Sequence, residues 1–189
     1  MNTTNSKPEY QNLQNFGTLV LEKQSLRFFS AHFVAKLDKN GVVQRETLHG
    51  HNYRMVAKLQ GYKQENSPYI IDKNDIQEIA LGICKKFHSK MLIPTRSPAL
   101  IVEKLGNDHV KMTVKGTTET FQFPLKDCVL LDLEYTSIED LATYCTQEIK
   151  RQLQLRGNEF NNLTQIFVTV REYEGLECEM CDTFNRPKM

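Results

Sequence analysis

Apolar and polar residues alternate along residues 49–61, and this pattern limits the fold of the chain strongly. Successive side chains on a β-strand point to opposite faces, so the alternation predicts a strand with one buried face and one solvent-facing face. Arg54, Lys58 and Gln60 lie on the polar face. The other face carries His49, His51, Tyr53, Met55, Ala57 and Leu59. Two histidines thus extend a face that is otherwise apolar.

Further strands are predicted towards both ends of the chain, with helices between them. Apolar residues recur at helical spacing over residues 74–87, and a capping-box spacing at residues 136–139 opens a second helix that extends to about residue 155. Short β-rich segments within about 91–133 predict an inserted β-meander. The other predicted strands cover residues 18–22, 26–37, 164–173 and 176–184. This order is typical of an α+β domain in which an antiparallel sheet carries the helices on one face.

The charge balance excludes several classes of protein. Lys and Arg number 24 and Asp and Glu 23, so the chain lacks the strong positive charge typical of nucleic-acid-binding proteins. No apolar run approaches the roughly 20 residues that span a bilayer.

The polar residues 1–16 predict a disordered or loosely ordered tail, and residues 17–189 predict a single domain.

The five cysteines indicate a reducing compartment. Their number is odd, and the polar N-terminal segment has no signal-peptide pattern, so we expect free thiols and a cytoplasmic location. Cys178 and Cys181 form a C-x-x-C motif, but no second pair with zinc-ribbon spacing accompanies it. We interpret both thiols as packing residues.

Three of the five histidines lie on two adjacent predicted strands. His49 and His51 share one strand face, about 6.5–7 Å apart by strand geometry, and His32 lies on the preceding strand. Three imidazoles in this arrangement can bind zinc and leave its fourth position open, which is the catalytic pattern. The alternative interpretation, that all three are ordinary polar strand residues, stays open because a lone H-x-H motif is weak.

Glu172 continues a strand face formed by Ile166, Val168 and Val170. A carboxylate in that place pairs with a cation or binds a ligand that has two donors. In the alternative interpretation, Glu172 is simply the first exposed residue beyond the core, as most carboxylates are exposed.

Five segments, in order along the chain, resemble signatures of the 6-pyruvoyl tetrahydropterin synthase family. Residues 46–53 contain its H-G-H-N-Y motif, and residues 28–33 are similar to its F-S-A-x-H segment with Phe29 in place of Ser. The remaining similarities are at residues 69–72, 134–142 and 168–172. Together with the closing hairpin, the resemblance covers nearly the whole chain.

This resemblance implies a tunnelling fold (T-fold), in which a four-stranded antiparallel sheet carries two helices on one face. It also implies a homo-oligomer, usually a hexamer built as a dimer of trimers, with active sites at subunit interfaces. The implied zinc ligands are His32, His49 and His51. Glu172 would grip the pterin ring of the substrate through a carboxylate fork, and Ser137 would provide a further pterin contact.

The implied substrate is 7,8-dihydroneopterin triphosphate. Biopterin-forming members use a Cys as general base four residues before the first histidine of H-G-H, and Arg45 occupies that position here. Glu46 precedes His49 by three residues, so the chain resembles the E-x-x-H-G-H variant, which cleaves the side chain to 6-hydroxymethyl-7,8-dihydropterin. The alternatives are 6-pyruvoyl- or 6-carboxytetrahydropterin synthesis, or a zinc- and pterin-binding protein with little catalysis.

One departure from the family pattern concerns its Asp-His proton relay. His88 matches the histidine of that relay, but Phe87 replaces the carboxylate that would orient it. His88 is thus expected either to relay a proton with another partner or to be a helix-end residue without a catalytic role.

Overall fold

The computed structural model, which describes residues 15–64, 67–157, 160–172 and 175–184, contains one large mixed sheet with two helices. The predicted tail lies mostly outside the described residues. The strands of the large sheet are β1 (Phe16–His32), β4 (His49–Tyr62), β5 (Lys90–Pro94), β9 (Cys128–Leu131), β10 (Leu163–Arg171) and β11 (Glu177–Thr183). The remaining elements are β2 (Ala35–Leu37), β3 (Val43–Arg45), β6 (Leu100–Leu105), β7 (His109–Val114), β8 (Thr120–Pro124), α1 (Lys73–Phe87) and α2 (Ile138–Leu155).

The alternating strand, β4, lies inside the large sheet, whose order is β11-β10-β4-β1-β5-β9. It pairs antiparallel with both β1 and β10. In the register with β1, His32 is the partner of His49, and Ser30 is the partner of His51. This register brings all three candidate ligands to the same end of two neighbouring strands.

The sheet has six strands instead of the four that were expected. Strands β10, β11, β4 and β1 form the antiparallel part, and β5 and β9 add to it in parallel orientation. The extra strands come from the two ends of the segment predicted as an inserted meander. Parallel strands are usually covered on both faces, and β5 follows this rule because Leu92 enters one core and Ile93 the other. The α+β class is confirmed.

Two strands predicted before β4 are a single long strand in the structure. Residues 18–22 and 26–32 both belong to β1, and the register with β4 shifts between Glu22 and Arg27. A bulge of this kind lets a strand continue past unpaired residues. The strand ends at His32, and Ala35–Leu37 then pairs separately with β3.

Both helices pack on the same face of the sheet. The main core joins Phe28 of β1, Met55 of β4 and Val168 of β10 to the buried stripes of α1 and α2. These stripes are the predicted ones and consist of Ile76, Ile79, Ala80, Ile83 and Phe87 in α1 and Leu141, Cys145, Ile149 and Leu153 in α2. Within the described residues, neither helix has the length and apolar character that crossing a membrane requires.

The start of α2 differs from the capping-box prediction by one residue. Ser137 is the N-cap residue, and its hydroxyl accepts a hydrogen bond from the backbone N–H of Asp140 at 3.3 Å. The preceding Thr136 is fully buried and its hydroxyl donates to the carbonyl of Phe33 at 3.3 Å. Thr136 therefore serves the end of β1 and not the helix.

Strands β6, β7 and β8 form a separate antiparallel sheet, called the inserted sheet below. It covers a second core on the side of β5 and β9 that faces away from the helices. This core includes Phe33, Met91, Ile93, Val110 and Met112. The predicted meander strands are thus confirmed, and they enclose the end of β1 as well as β5.

Gly61 marks the tightest backbone contact of β4 and leads to a stability prediction. A Cβ atom at this position would lie 2.5 Å from the carbonyl oxygen of Asn162 and 2.9 Å from the Cα atom of Leu163. Both neighbours are backbone atoms and cannot swing away. We expect Gly61→Ala to lower the free energy of unfolding by about 1–3 kcal/mol, the usual cost of overpacking.

Chemical denaturation measures this effect, and Gly82→Ala is the matched control. Gly82 lies in α1, where no described residue beyond the adjacent helix backbone would come within 4 Å of an added Cβ atom. Its replacement by alanine is expected to raise the stability by about 0.5–1 kcal/mol, because alanine is the better helix former. Equal effects of the two substitutions would contradict the proposed crowding at Gly61.

Candidate metal centre and active site

The three histidines predicted as ligands converge at one end of the sheet. His32 ends β1, and His49 and His51 begin β4. Each offers one ring nitrogen, and these nitrogens all lie within 4.8 Å of one another. The ring centroids of His32 and His49 are 4.7 Å apart, as are those of His49 and His51. We call these residues the three-histidine cluster.

Backbone carbonyls fix the orientation of two imidazoles. Nδ1 of His32 donates to the carbonyl oxygen of Thr136 at 2.7 Å, and Nδ1 of His49 donates to the carbonyl oxygen of Thr47 at 2.7 Å. A carbonyl oxygen can only accept, so Nδ1 carries the proton in both rings and Nε2 presents a lone pair. Metal-binding histidines in proteins are usually held in this way. Sequence reasoning missed the role of Thr136, which is distant along the chain.

Burial keeps the first histidine of the cluster neutral. His32 is only 3% exposed, and this burial lowers its pKa to about 4, with the nearby His49 and His51 acting in the same direction. A neutral imidazole is the form that binds a metal ion. The cluster therefore offers a suitable donor set, and it can hold a metal ion.

Glu172 lies beside the cluster and is largely buried. Its side chain is 11% exposed, and Oε1 lies 3.9 Å from Nε2 of His51. Its backbone N–H donates to the carbonyl of Leu176 at 2.8 Å. The simple view of Glu172 as the first exposed residue beyond the core is wrong.

Tyr53 links Glu172 to the cluster, and sequence reasoning assigned it no role. Its hydroxyl lies 3.1 Å from Nε2 of His32, and the charge of Glu172 acts on it. The ring is buried and stacks on Phe28 with the centroids 4.8 Å apart. Burial, followed by the charge of Glu172, raises the pKa of Tyr53 far above its ordinary value, so the hydroxyl keeps its proton. The available signal was that Tyr53 follows His51 by two residues on the same strand face.

Glu46 lies in the connection between β3 and β4 and is exposed. Its Oε2 accepts a hydrogen bond from the backbone N–H of Val34 at 3.0 Å, and its own N–H donates to the carbonyl of Val34 at 2.9 Å. Its charge acts on both His32 and Tyr53. The structure thus brings the predicted base to the edge of the cluster.

In the single chain, His88 lies outside the three-histidine cluster. It follows the end of α1, is exposed, and its ring contacts that of Phe29 with the centroids 5.0 Å apart. Phe29 belongs to the opposite face of β1 from His32, because the two differ by an odd number of residues. Phe87 is fully buried and packs against Phe28 at 5.2 Å between ring centroids. Phe87, which occupies the position of the family carboxylate, is therefore a core residue. The catalytic role of His88 stays a prediction.

The C-x-x-C motif forms no joint site in the structure. Cys178 and Cys181 are both in β11 and are free thiols. A spacing of three residues on a strand directs them to opposite faces. Cys178 packs against the main core as predicted, whereas Cys181 is exposed and its interpretation as a packing residue is wrong.

A cavity of about 760 Å³ lies beside the end of β1 and the start of β4. Its lining joins His51 to Phe29 and Asn52 from the large sheet, Lys90 from β5, and Phe123 from the inserted sheet. His51 is the member of the three-histidine cluster that lines this cavity.

Comparison with known proteins identifies relatives that share this arrangement over most of the chain. The profile of the 6-pyruvoyl tetrahydropterin synthase family matches residues 22–180. A protein of Methanocaldococcus jannaschii, named as a candidate 6-carboxy-5,6,7,8-tetrahydropterin synthase, is 30% identical over 154 residues. The match covers 78% of this chain and 84% of that protein.

Solved structures agree with this assignment. The 6-pyruvoyl tetrahydropterin synthase of Plasmodium vivax is similar with a TM-score of 0.78 and 27% identity, over 89% of this chain and 99% of that one. The Plasmodium falciparum enzyme gives a TM-score of 0.78 and 25% identity, over 90% and 99% of the two chains. Further P. vivax structures carry alanine or cysteine in place of a catalytic glutamate. The expected T-fold is confirmed, and the chain belongs to the 6-pyruvoyl tetrahydropterin synthase family.

Proposed function

We propose that this lyase of pterin biosynthesis depends on zinc and cleaves the side chain of 7,8-dihydroneopterin triphosphate to give 6-hydroxymethyl-7,8-dihydropterin. The observation that carries the proposal is that Glu46 exchanges two hydrogen bonds with Val34, two residues beyond His32, and so lies beside the three-histidine cluster. The position of the alternative thiol base is occupied by Arg45.

The three-histidine cluster would hold the metal ion through Nε2 of His32, Nε2 of His49 and a ring nitrogen of His51. Three neutral nitrogen ligands suit zinc and leave one position for substrate. When bound, zinc supplies Lewis acidity that makes the protons of the substrate side chain easier to remove.

Side chains of the protein bind the pterin and transfer the protons of the proposed reaction. Glu172 accepts hydrogen bonds from adjacent N–H groups of the pterin, and its low exposure of 11% strengthens such contacts. Ser137, at the N-terminus of α2, provides a further pterin contact. Glu46 takes a proton from a side-chain hydroxyl, the neighbouring carbon–carbon bond breaks so that the hydroxyl carbon leaves as an aldehyde, and the carbon that stays on the ring gains a proton. His88 donates that proton to the site of a neighbouring copy in the homo-oligomer proposed below, because it lies outside the cluster of its own chain.

The P. vivax relatives support the assignment of Glu46. In two of them a catalytic glutamate is replaced, and they are 27% identical to this chain over 89% of its length. A second candidate function is supported by the M. jannaschii relative, which is named for 6-carboxytetrahydropterin synthesis. The buried Phe87, which occupies the position of the carboxylate in the Asp-His relay, supports the third alternative of a pterin-binding protein with little catalysis.

We also propose that the protein works as a homo-oligomer, with trimers paired into a hexamer. Among the described residues, β11 forms one edge of the large sheet, and β1 pairs with β5 only at Ser30 and Ala31. The rest of β1 on that side is an open strand edge, with Phe16 and Val20 exposed at 43% and 52%. Open strand edges of this kind pair readily with another copy of the chain.

The test is incubation of the zinc-loaded protein with 7,8-dihydroneopterin triphosphate, followed by identification of the products by mass. We expect 6-hydroxymethyl-7,8-dihydropterin. A pyruvoyl or carboxy product would replace the proposal with one of its alternatives. Unchanged substrate, with zinc and pterin bound, would favour the binding protein.

A further inference from the structure

The guanidinium of Arg45 connects the inserted sheet to the segment that carries Glu46. Its Nε donates to Oε2 of Glu119 at 2.7 Å, and a terminal N–H donates to the other carboxylate oxygen. This is the two-pronged geometry of the strongest arginine–carboxylate pairs. The hydrogen bonds from Arg45 hold the pKa of the Glu119 carboxyl below its ordinary value. Glu119 lies just before β8, so the contact joins two parts of the chain that are 74 residues apart.

The same guanidinium also lies over two aromatic rings. Its central carbon lies 5.7 Å from the ring centre of Phe33 and 5.2 Å from that of Phe121. The two rings also contact each other, with the centroids 5.0 Å apart. Phe33 follows the candidate ligand His32, and Phe121 belongs to β8. Ring and carboxylate contacts together leave the guanidinium little freedom to move.

The fixed guanidinium in turn holds the backbone of Glu46. Nη1 of Arg45 donates to the carbonyl oxygen of Glu46 at 2.7 Å. On its other side, Glu46 exchanges two hydrogen bonds with Val34, one through its N–H and one through its carboxylate. The backbone of Glu46 is therefore held between the inserted sheet and the end of β1.

We propose that Glu119, acting through Arg45, is a positioning residue that holds Glu46 at the edge of the three-histidine cluster. The inserted sheet thus contributes to catalysis without touching the substrate. The inference rests on the proposed function, because it takes Glu46 as the base. It assigns a role to Glu119 and to Arg45. Arg45 occupies the position at which the biopterin-forming members of the family have the cysteine base.

The test uses Glu119→Gln in the full-length zinc-loaded protein, with Glu103→Gln as the matched control. Glu103 is an exposed residue of β6 in the same inserted sheet. We expect Glu119→Gln to lower kcat by about tenfold to a hundredfold with KM changed less than about twofold, because a misplaced base affects only the chemical step. Amide hydrogen exchange at Glu46 and Thr47 should become faster, while zinc content stays at the wild-type level. Arg45→Lys should act in the same direction, since lysine cannot form the paired contact.

Each outcome separates this inference from the proposed function. Unchanged hydrogen exchange in Glu119→Gln would overturn the positioning role whether or not the wild type is active. Faster exchange with unchanged kcat would overturn it as well. A wild-type protein without turnover would contradict the proposed function, and the exchange measurement would still decide whether Glu119 holds the segment.

Discussion

His49→Ala is expected to abolish metal binding and to reduce turnover by at least about a thousandfold. Metal-ion catalysis supplies several kcal/mol of transition-state stabilisation, and each 1.36 kcal/mol corresponds to about tenfold in rate. Removal of one imidazole leaves two ligands, and no other His, Cys, Asp or Glu joins the cluster among the described residues. His49 is only partly buried and belongs to neither core, so its loss should leave the fold intact.

Zinc content after extensive dialysis and turnover of the dialysed protein measure this effect. His109→Ala is the matched control, because His109 lies in β7 of the inserted sheet and outside the cluster. We expect it to retain zinc at the wild-type level. A His49→Ala protein that holds as much zinc as the wild type would show that zinc binds outside the three-histidine cluster.

Glu46→Gln should reduce turnover by about a hundredfold to ten-thousandfold, the range that general acid–base catalysis usually contributes. Glutamine keeps an oxygen that can accept the hydrogen bond from the N–H of Val34, so the local backbone should not change. It cannot take up a proton at neutral pH, however, and the base is lost. Zinc content and pterin affinity are therefore expected to stay close to those of the wild type.

The measurement is single-turnover kinetics with product identification by mass, with zinc content determined on the same samples. Glu103→Gln again serves as the control for loss of one negative charge at an exposed position. Full turnover by Glu46→Gln would exclude Glu46 as the base. Loss of zinc together with turnover would instead indicate that Glu46 supports the metal centre.

The part of the site that the sequence could predict is the part built from one strand and its neighbour. The alternation along β4 is a local signal, and it puts His49, His51 and Tyr53 on one face without knowledge of the fold. The placement of His32 required only that the preceding strand be adjacent in the sheet. The helical stripes were predictable for the same reason, because their periodicity lies within the helix itself.

The contacts that the sequence could not predict join distant segments. The carbonyl of Thr136 meets His32 across 104 residues, and no local pattern distinguishes it from a helix cap. The addition of β5 and β9 to the large sheet was missed because a short apolar run does not reveal its pairing partner. His88 was placed from a family motif, but the side chain of the preceding Phe87 belongs to the core, and this burial follows from the tertiary fold alone.

The pairing of His32 with His49 links metal loading to the quality of folding. Side chains alternate faces along a strand, so a slip of one residue between β1 and β4 would move one set of ligands away from the other. Ions that require three ligands would then bind only to chains with the correct register. Binding to the native form alone stabilises that form. A metal ion would therefore favour chains with the correct strand register over misregistered chains during biosynthesis.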